Sequence, residues 1–250
     1  MAAIDLNADL GRSGDDEAIL DVVTSVNVPC GFHAGDPSTL RRACRAAADR
    51  GVAIGAQVSG ARVSFPDPAG SGPRGIDIGP SALRDAVLYQ LGALDGFAQV
   101  AGAGITYVKP DGALFDACVA RPEHAEAVAE AAHEFDPSMA VLGVPGSTLL
   151  AVADALGMEA IAEAVADRGY RGDGTLVPLT EPGAVLTDPG LVAHRASMIA
   201  TERCVTAVDG SVIDLHVRSI GIHGDAPVAL ARAVRAALES ASIGIHPFAL

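Results

Sequence analysis

Residues 25–57, SVNVPCGFHAGDPSTLRRACRAAADRGVAIGAQ, contain one strand–helix–strand unit and decide the fold. The short apolar run 25–31 predicts a buried strand. The run 37–51 predicts a helix that Asp36 can cap and that a proline can begin, because proline is tolerated in the first helical turn. The apolar run 52–57 predicts the next strand. Two strands joined through a helix in this way lie parallel, with a right-handed crossover.

The same alternation continues along the whole chain. About seven such units, with no linker or change of composition between them, favour a closed, seven-stranded (β/α) barrel over an open doubly wound sheet. We therefore expect one domain over residues 1–250. The run 159–167 fits a helix or a strand, and its place in the order favours a strand. The other predicted strands are 3–9, 105–110, 139–144 and 219–223, the predicted hairpin surrounds 208–215, and the other predicted helices are 15–25, 80–104, 123–134, 147–157, a segment after 189, and 226–240.

The formal net charge of −14 limits the partners of this chain. Nucleic acids and acidic membrane surfaces carry the same sign, so long-range attraction to either is excluded. A small anionic ligand would be repelled as well unless cations were placed locally. Lys109, the only lysine in the sequence, is a candidate for such a cation.

Cysteine usage and the first residues indicate a cytoplasmic protein. The four cysteines show neither CxxC spacing nor the density of a disulfide scaffold, so we expect reduced thiols. The opening residues MAAIDLNADLG lack a basic segment followed by an apolar core, which argues against an ordinary signal peptide. The most apolar window, 139–158, is broken by glycine, proline and aspartate before it could span a bilayer.

Polar residues follow the predicted strands in six places. The carboxyl ends of the strands of a parallel barrel converge on one face, which is where such folds place their active sites. We therefore expect these residues to share one pocket. They are Asn7 and Asp9, His33 and Asp36, Gln57 and Ser59, Lys109 and Asp111, Asp167 and Arg168, and His223 and Asp225.

Two of these segments, CGFHAGDP (30–37) and GIHGDAP (221–227), are similar turns between a strand and a helix. Their glycines allow a ligand to approach the backbone, and the free N–H groups at a helix start favour an anion such as phosphate. Both turns can also be simple connections without a ligand.

Other candidates have structural interpretations that stay open. Asp36 can serve only as a helix cap, and Asn7 and Asp9 can tie strands together at the barrel mouth. Arg168 lies in a charged loop, which is more often a solvated surface than a site. Lys109 can form an ion pair with the nearby Asp111 that contributes to stability alone.

Seven stretches together resemble the LamB/YcsF family. They occur in the family's order and span nearly the whole chain. The family is similar to (β/α) barrels of the glycoside hydrolase/deacetylase superfamily type, usually with seven strands. The stretches are IDLNADLG (4–11), CGFHAGDP (30–37), GVAIGA (51–56), YQLGAL (89–94), VKPDGALFD (108–116), ADRGYRGDGTLVP (166–178) and IHGD (222–225).

The resemblance implies an ATP-dependent 5-oxoprolinase reaction, in which the lactam of 5-oxo-L-proline is cleaved to L-glutamate. ATP, together with magnesium, would be the co-substrate, and subunits B and C would be the partners; a homo-oligomer is left open. A five-membered lactam is a poor electrophile, and phosphorylation of its carbonyl oxygen would create a leaving group. Such a step needs cations and N–H donors for the phosphoryl oxygens and a group that handles a proton.

Under this resemblance the candidate residues divide into two groups. Asp9 or Asp111 would accept a proton, His33 and His223 would orient substrate or water, and Lys109 and Arg168 would meet phosphate or the substrate carboxylate. The catalytic set is Asp9, His33, Lys109, Asp111 and His223, and the set that binds substrate or phosphate is Asn7, Asp36, Gln57, Ser59, Arg168 and Asp225.

The sequence departs from the family pattern at several of these positions. Gln57 and Asp111 stand where the family has histidine, which removes two nitrogen ligands and two possible bases. Arg12 replaces a glutamate, Phe115 a tyrosine and Leu179 an arginine. The donors left for a bound metal are few, with His33, Asp9 and Asp111 as candidates, and metal binding stays open.

Two other functions follow from these departures. One is a metal-dependent amidohydrolase or deacetylase that needs no ATP. The other is a non-catalytic, divergent paralogue that takes part in a complex as one of its subunits.

Overall fold

The computed structural model describes residues 3–10, 16–60, 78–223 and 227–249. Seven parallel strands form a closed barrel, because β9 pairs with β6 on one side and with β1 on the other. The predicted seven-stranded (β/α) barrel is therefore confirmed. The strands are β1 (Ala3–Asp9), β2 (Ser25–Pro29), β3 (Ala53–Val58), β4 (Ile105–Pro110), β5 (Ala140–Gly143), β6 (Ala160–Val165), the antiparallel hairpin β7 (Cys204–Thr206) and β8 (Val212–Asp214), β9 (Ser219–Ile222), and the short β10 (Gly244–Ile245) beside β1.

Helices surround the barrel. The ambiguous run 159–167 contains strand β6, and the predicted hairpin is present. Of the helices in the described ranges, none combines the length and the apolar character needed to span a membrane. They are α1 (Asp16–Leu20), α2 (Pro37–Ala48), α3 (Pro80–Val100), α4 (Gly112–Ala120), α5 (Pro122–Phe135), α6 (Thr148–Ala155), α7 (Pro189–Glu202) and α8 (Pro227–Ser240).

Three elements differ from the sequence prediction. Helix α4 was not predicted, since GALFDACVA is apolar on all sides and its cap residue makes no side-chain hydrogen bond. Strand β10 has only two residues, which is too few for a periodic signal. Helix α1 ends at Leu20, earlier than predicted, because residues 21 and 22 form a turn that leads into β2.

The outer face of the barrel is apolar, whereas much of its interior is polar. Alternate residues of a strand point to opposite faces, so Asp5, Asn7 and Asp9 share one face of β1. Asn7 Nδ2 donates to Ser25 Oγ at 2.7 Å and to the Tyr107 hydroxyl at 2.8 Å. These contacts join β1 to β2 and β4 through the middle of the barrel. At the opposite end from the strand carboxyl termini, Tyr107 packs with apolar residues of β5 and β6 and meets the Phe248 ring edge-on at 4.9 Å.

A buried carboxylate lies at the base of this polar interior. Asp5 is 1% exposed and accepts hydrogen bonds from the hydroxyls of Thr24, Ser25 and Ser219 at 2.7 to 2.8 Å. Burial is the largest influence on this group and raises the pKa of Asp5 to about 6, although the three hydroxyls partly offset the shift.

This pKa predicts a specific dependence of stability on pH. The folded state holds the Asp5 proton more tightly than the unfolded state does, so stability from this group falls as pH rises from about 4 to about 6 and then stays level. A shift of this size corresponds to about 3 kcal/mol. Urea unfolding of the wild type and of Asp5→Asn between pH 4 and pH 7 measures it. We expect the wild type to lose most of this amount relative to the variant over this pH range, and parallel curves would contradict the assignment.

Candidate functional site

A cavity of about 720 Å³ opens where the strands end at their carboxyl termini. It is lined by residues of β1, β3, β4 and β6 and of the segments after β6 and β9, so five of the six predicted segments meet here. The segment after β2, with His33 and Asp36, is not among the described lining residues, and the prediction that it shares the pocket is wrong. Apolar side chains from α4 and from segment 176–185 form much of the rest of the wall. The sequence-predicted residues that line the cavity are Asp9, Gln57, Lys109, Asp111, Asp167, Arg168 and His223.

Lys109 is buried at the centre of this cavity, with 4% of its surface exposed. Its ammonium lies 2.5 Å from Glu163 Oε2 and 2.7 Å from His223 Nε2. The carboxylate that pairs with Lys109 is therefore Glu163, and the alternative interpretation, in which Lys109 pairs with Asp111, is wrong. The reason is geometric: Glu163 reaches Lys109 from β6, whereas Asp111 follows β4 and contacts Gln57 and His33.

His223 links Lys109 to two further carboxylates. Its Nε2 is 3.7 Å from Asp9 Oδ1, and its backbone N–H donates to Asp167 Oδ2 at 3.0 Å. When Lys109 is protonated, His223 Nε2 accepts its hydrogen bond, and the proton of the neutral ring then resides on Nδ1. Ring Nδ1 has no hydrogen-bond partner within the described ranges, so the imidazole is held through Nε2 and through the backbone of His223.

Gly221 gives the Glu163 and His223 side chains the space they occupy. A Cβ at this position would lie 2.6 Å from Glu163 Oε1 and 2.3 Å from His223 Cε1. Both atoms therefore crowd the same point of β9. The glycine is required here by the close approach of these two side chains.

Replacing Gly221 with alanine should consequently destabilise the protein. The added methyl group must displace the carboxylate or the imidazole in a packed interior, which costs about 1–3 kcal/mol. Gly92→Ala is a suitable control, because nothing lies within 4 Å of the added Cβ; in a helix this change should stabilise by about 0.5–1 kcal/mol. Urea unfolding compares the two, and equal effects would contradict the crowding at Gly221.

Asp9 lies at the rim of the polar interior. Asn27 Nδ2 donates to Asp9 Oδ1 at 2.8 Å and to Asn7 Oδ1 at 2.6 Å. Asn7 lies deeper, is fully buried and is not among the residues that line the cavity. Its contacts fit the structural interpretation, in which Asn7 ties strands together, while Asp9 faces the cavity.

Asp111 is the centre of a second group on the other side of the cavity. Gln57 Nε2 donates to Asp111 Oδ1 at 3.2 Å, and His33 Nε2 lies 3.3 Å from Asp111 Oδ2. His33 comes from the turn after β2 and Gln57 from the end of β3. A carboxylate held by an imidazole in this way can accept a proton from water and share it with the ring.

Arg168 follows β6 and stabilises the loop that covers part of the cavity. Its Nε donates to the Ala184 carbonyl at 2.9 Å and its Nη2 to the Val177 carbonyl at 2.6 Å. Partial burial lowers the pKa of the guanidinium, and the nearby Asp167 and Asp116 oppose this effect. The two hydrogen bonds leave Nη1 as the nitrogen that could meet a ligand.

Two of the remaining residues singled out from the sequence, Asp36 and Ser59, are not among the described residues that line the cavity. Asp36 caps α2 by accepting from Thr39 N at 2.8 Å, as its structural interpretation predicted, and it is exposed. Ser59 exchanges backbone hydrogen bonds with the Gln90 side chain. Asp225 and Arg12 lie outside the described residues. Leu179 lines the cavity mouth and is 70% exposed.

Glu163 is the functional candidate that the sequence reasoning missed. It is fully buried, lines the cavity and contacts Lys109. The signal available was a single acidic residue inside the apolar strand AIAEAV, two residues before Val165 on the same face. A lone buried acid in such a strand indicates a specific partner.

The charge of the cavity is unusual for an anion site. Among its described lining residues are two cations, Lys109 and Arg168, and five carboxylates. No three histidine, cysteine, aspartate or glutamate side chains in the described ranges are grouped so that they could hold a metal ion. The three residues predicted as metal candidates therefore belong to two separate groups. Asp9 lies near His223, while His33 and Asp111 pair with each other.

Comparisons with known proteins agree with this architecture. A protein of Mycobacterium avium, named as the A-type subunit of 5-oxoprolinase, is 50% identical, with 99% of this chain and all of the relative covered. A protein of Pseudomonas syringae pv. tomato, also named as an A-type subunit of 5-oxoprolinase, is 47% identical, with 100% of this chain and 98% of the relative covered. The crystal structure of a lactam utilization protein from Thermus thermophilus superposes with a TM-score of 0.88 at 37% identity and covers 98% of this chain and all of that one.

The sequence model of the LamB/YcsF family matches residues 4–250. The match extends over all the strands that form the barrel and over every element that contributes to the cavity. The chain belongs to the LamB/YcsF family.

Proposed function

We propose that this protein is the A-type subunit of an ATP-dependent 5-oxoprolinase, which cleaves 5-oxo-L-proline or a related lactam to L-glutamate. One observation carries the proposal: Asp111, which His33 contacts from outside the lining, and the pair Lys109 and His223 line one cavity at the carboxyl ends of the strands. The names of the relatives supply the substrate class.

In the proposed reaction the two groups act on opposite ends of the scissile bond. Water attacks the carbonyl carbon, and Asp111 accepts its proton while His33 and Gln57 hold the carboxylate in place. Asp9 Oδ1 lies 3.7 Å from His223 Nε2 at the rim of the cavity. The C–N bond breaks on the side of Lys109, and the substrate carboxylate is placed toward Arg168 Nη1.

The cavity is poorly suited to a nucleoside triphosphate. A triphosphate is strongly anionic, while the described lining residues offer two cations, both already hydrogen-bonded, among five carboxylates. No step of the proposed chemistry is therefore assigned to ATP in this cavity. The phosphoryl donor, with its magnesium, would be handled together with subunits B and C, in keeping with the word "subunit" in the names of the relatives.

The metal-dependent amidohydrolase alternative has no comparable support. The described residues contain no grouping of three metal-binding side chains. The paired contacts of Asp111 with His33 and of Lys109 with Glu163 instead describe acid–base groups held by each other.

Reconstitution tests the proposal. The protein is mixed with B-type and C-type subunits, ATP and 5-oxo-L-proline, and L-glutamate and ADP are measured; the Mycobacterium avium relative serves as the positive control with the same partners. We expect glutamate formation that depends on this chain and is coupled to ADP release. Absence of glutamate with this chain, when the control is active, would rule out the proposed reaction.

A further inference from the structure

The floor of the cavity carries acceptor oxygens that the protein does not satisfy. We define the acceptor floor as Gln57, Glu163 and Asp167, all of which line the cavity and are 1% exposed or less. Gln57 Oε1, Glu163 Oε1 and Asp167 Oδ1 have no hydrogen-bond partner within the described ranges. Buried acceptors are usually paired, so three unpaired ones around one cavity indicate a ligand that donates hydrogen bonds.

Each of these side chains is fixed by its other polar atom. Glu163 Oε2 holds Lys109, Asp167 Oδ2 accepts from the backbone N–H of His223, and Gln57 Nε2 donates to Asp111. The three side chains therefore cannot turn their free oxygens to other partners without losing these contacts.

The three side chains that carry the free oxygens adjoin the pair formed by Lys109 and His223. Gln57 is the register partner of Lys109 in the barrel. Glu163 Oε1 and His223 Cε1 crowd the same point above Gly221, and Asp167 contacts the His223 backbone. Lys109 is the counter-ion of Glu163 through Oε2, and Arg168 donates to two carbonyls, so neither cation pairs with the free oxygens of the floor.

We propose that the acceptor floor is the subsite for the nitrogen of the substrate, where it accepts from the lactam N–H and then holds the ammonium group of the ring-opened amino acid. The inference rests on the proposed function. It adds the orientation of the substrate, whose nitrogen faces Glu163. The chemistry of the ligand is that of a nitrogen donor. The described residues hold no metal grouping that would suit a metal ion instead.

Ring opening changes the nitrogen in the direction that this floor favours. Hydrolysis breaks the C–N bond, its electron pair goes to nitrogen, and water supplies hydroxyl to the carbonyl carbon and a proton to the nitrogen. The neutral amide N–H thereby becomes an amine, and transfer of the proton of the new carboxylic acid to this amine gives a carboxylate and an ammonium group with three donors and a positive charge. Two fixed carboxylates and an amide oxygen stabilise that charge as it develops.

Binding of matched ligands tests the subsite without catalysis. L-Glutamate and glutarate differ only by the ammonium group, and 5-oxo-L-proline and its lactone analogue differ only by N–H against ring oxygen. Calorimetry on the assembled complex, without ATP, measures all four. We expect the nitrogen-bearing member of each pair to bind about 10–100-fold more tightly, as expected for hydrogen bonds to charged groups.

Variants assign the preference to the floor. Glu163→Gln and Asp167→Asn should each reduce the preference for glutamate over glutarate to about 3-fold or less. Asp167→Asn leaves the Lys109–Glu163 pair intact, so its result does not depend on whether Glu163→Gln is less stable. Glu159→Gln is the matched control, because Glu159 pairs with Arg218 on the surface just before β6 and should leave the preference unchanged.

The outcomes separate this inference from the proposed function. Equal binding of glutamate and glutarate, or no measurable binding of either, overturns the subsite even if 5-oxoproline is cleaved in the reconstitution. A preference that persists in both floor variants overturns it as well. A preference that is lost in the variants supports the subsite, and if 5-oxoproline is then not cleaved, only the proposed reaction fails.

Discussion

Replacing Lys109 with methionine is expected to lower the free energy of unfolding by about 3–5 kcal/mol, because the buried carboxylate of Glu163 loses its counter-ion. Lys109 is 4% exposed and Glu163 is fully buried, so water cannot take over the role of the ammonium. Urea unfolding at neutral pH measures the loss.

A second substitution distinguishes loss of the ion pair from loss of packing. Lys109→Met combined with Glu163→Gln removes both charges and should recover much of the stability, since a neutral pair leaves no uncompensated charge. Arg84→Met is the surface control: Arg84 pairs with Glu130 and Glu134 but is 40% exposed, so we expect a loss of about 1 kcal/mol or less. A loss of that small size for Lys109→Met would show that the buried pair is not formed.

Asp111→Asn is expected to have the largest effect on catalysis with little effect on stability. Asparagine preserves the shape but cannot accept the proton of the attacking water, and loss of a positioned general base costs about 100–10,000-fold in rate. Glutamate formation by the reconstituted complex measures the turnover number, and urea unfolding checks the fold.

Asp85→Asn provides the control for this change. Asp85 is an exposed residue of α3 and is not among the described residues that line the cavity. We expect its activity to match the wild type. Activity of Asp111→Asn at a third of the wild-type level or more would remove Asp111 from the role of base and leave His33 or Asp9 to be tested in its place.

The barrel could be predicted because its signals are local and repeated. Each strand is a short apolar run, and each following helix has its own periodicity and often its own cap, as with Asp36 before α2. Helix α4 and β10 escaped prediction for the complementary reason. Helix α4 is apolar on all sides and lacks a side-chain cap, and β10 is too short to show any hydrophobic periodicity.

The convergence of polar residues in one cavity was also predictable, because parallel strands bring their carboxyl ends together. Their pairing was not. Lys109 and Asp111 are neighbours in sequence, yet the partner of Lys109 is Glu163, 54 residues away and across the barrel. Such pairs depend on which interior side chains meet across the barrel axis. A periodic sequence pattern contains no information about the distance between side chains on different strands.

The same limit explains why Asn7, which the sequence analysis placed in the shared pocket, does not line the cavity. The alternation of side chains along β1 correctly predicts that Asn7 and Asp9 both lie on the interior face. It does not predict that they lie at different levels along the barrel axis. Asn7 is enclosed by Ser25, Asn27 and Tyr107, while Asp9 reaches the cavity. Tyr107 can lie across the barrel because Gly55 has no side chain: a Cβ there would meet the tyrosine ring at 2.0 Å.

A crystal structure of the protein with 5-oxo-L-proline bound tests the central claim, that this cavity is where the lactam is cleaved. The account predicts the lactam in the cavity, with its carbonyl carbon beside Asp111 and its ring on the side of Glu163 and Lys109. A lactam bound elsewhere on the protein, with the cavity free of it, would contradict the claim.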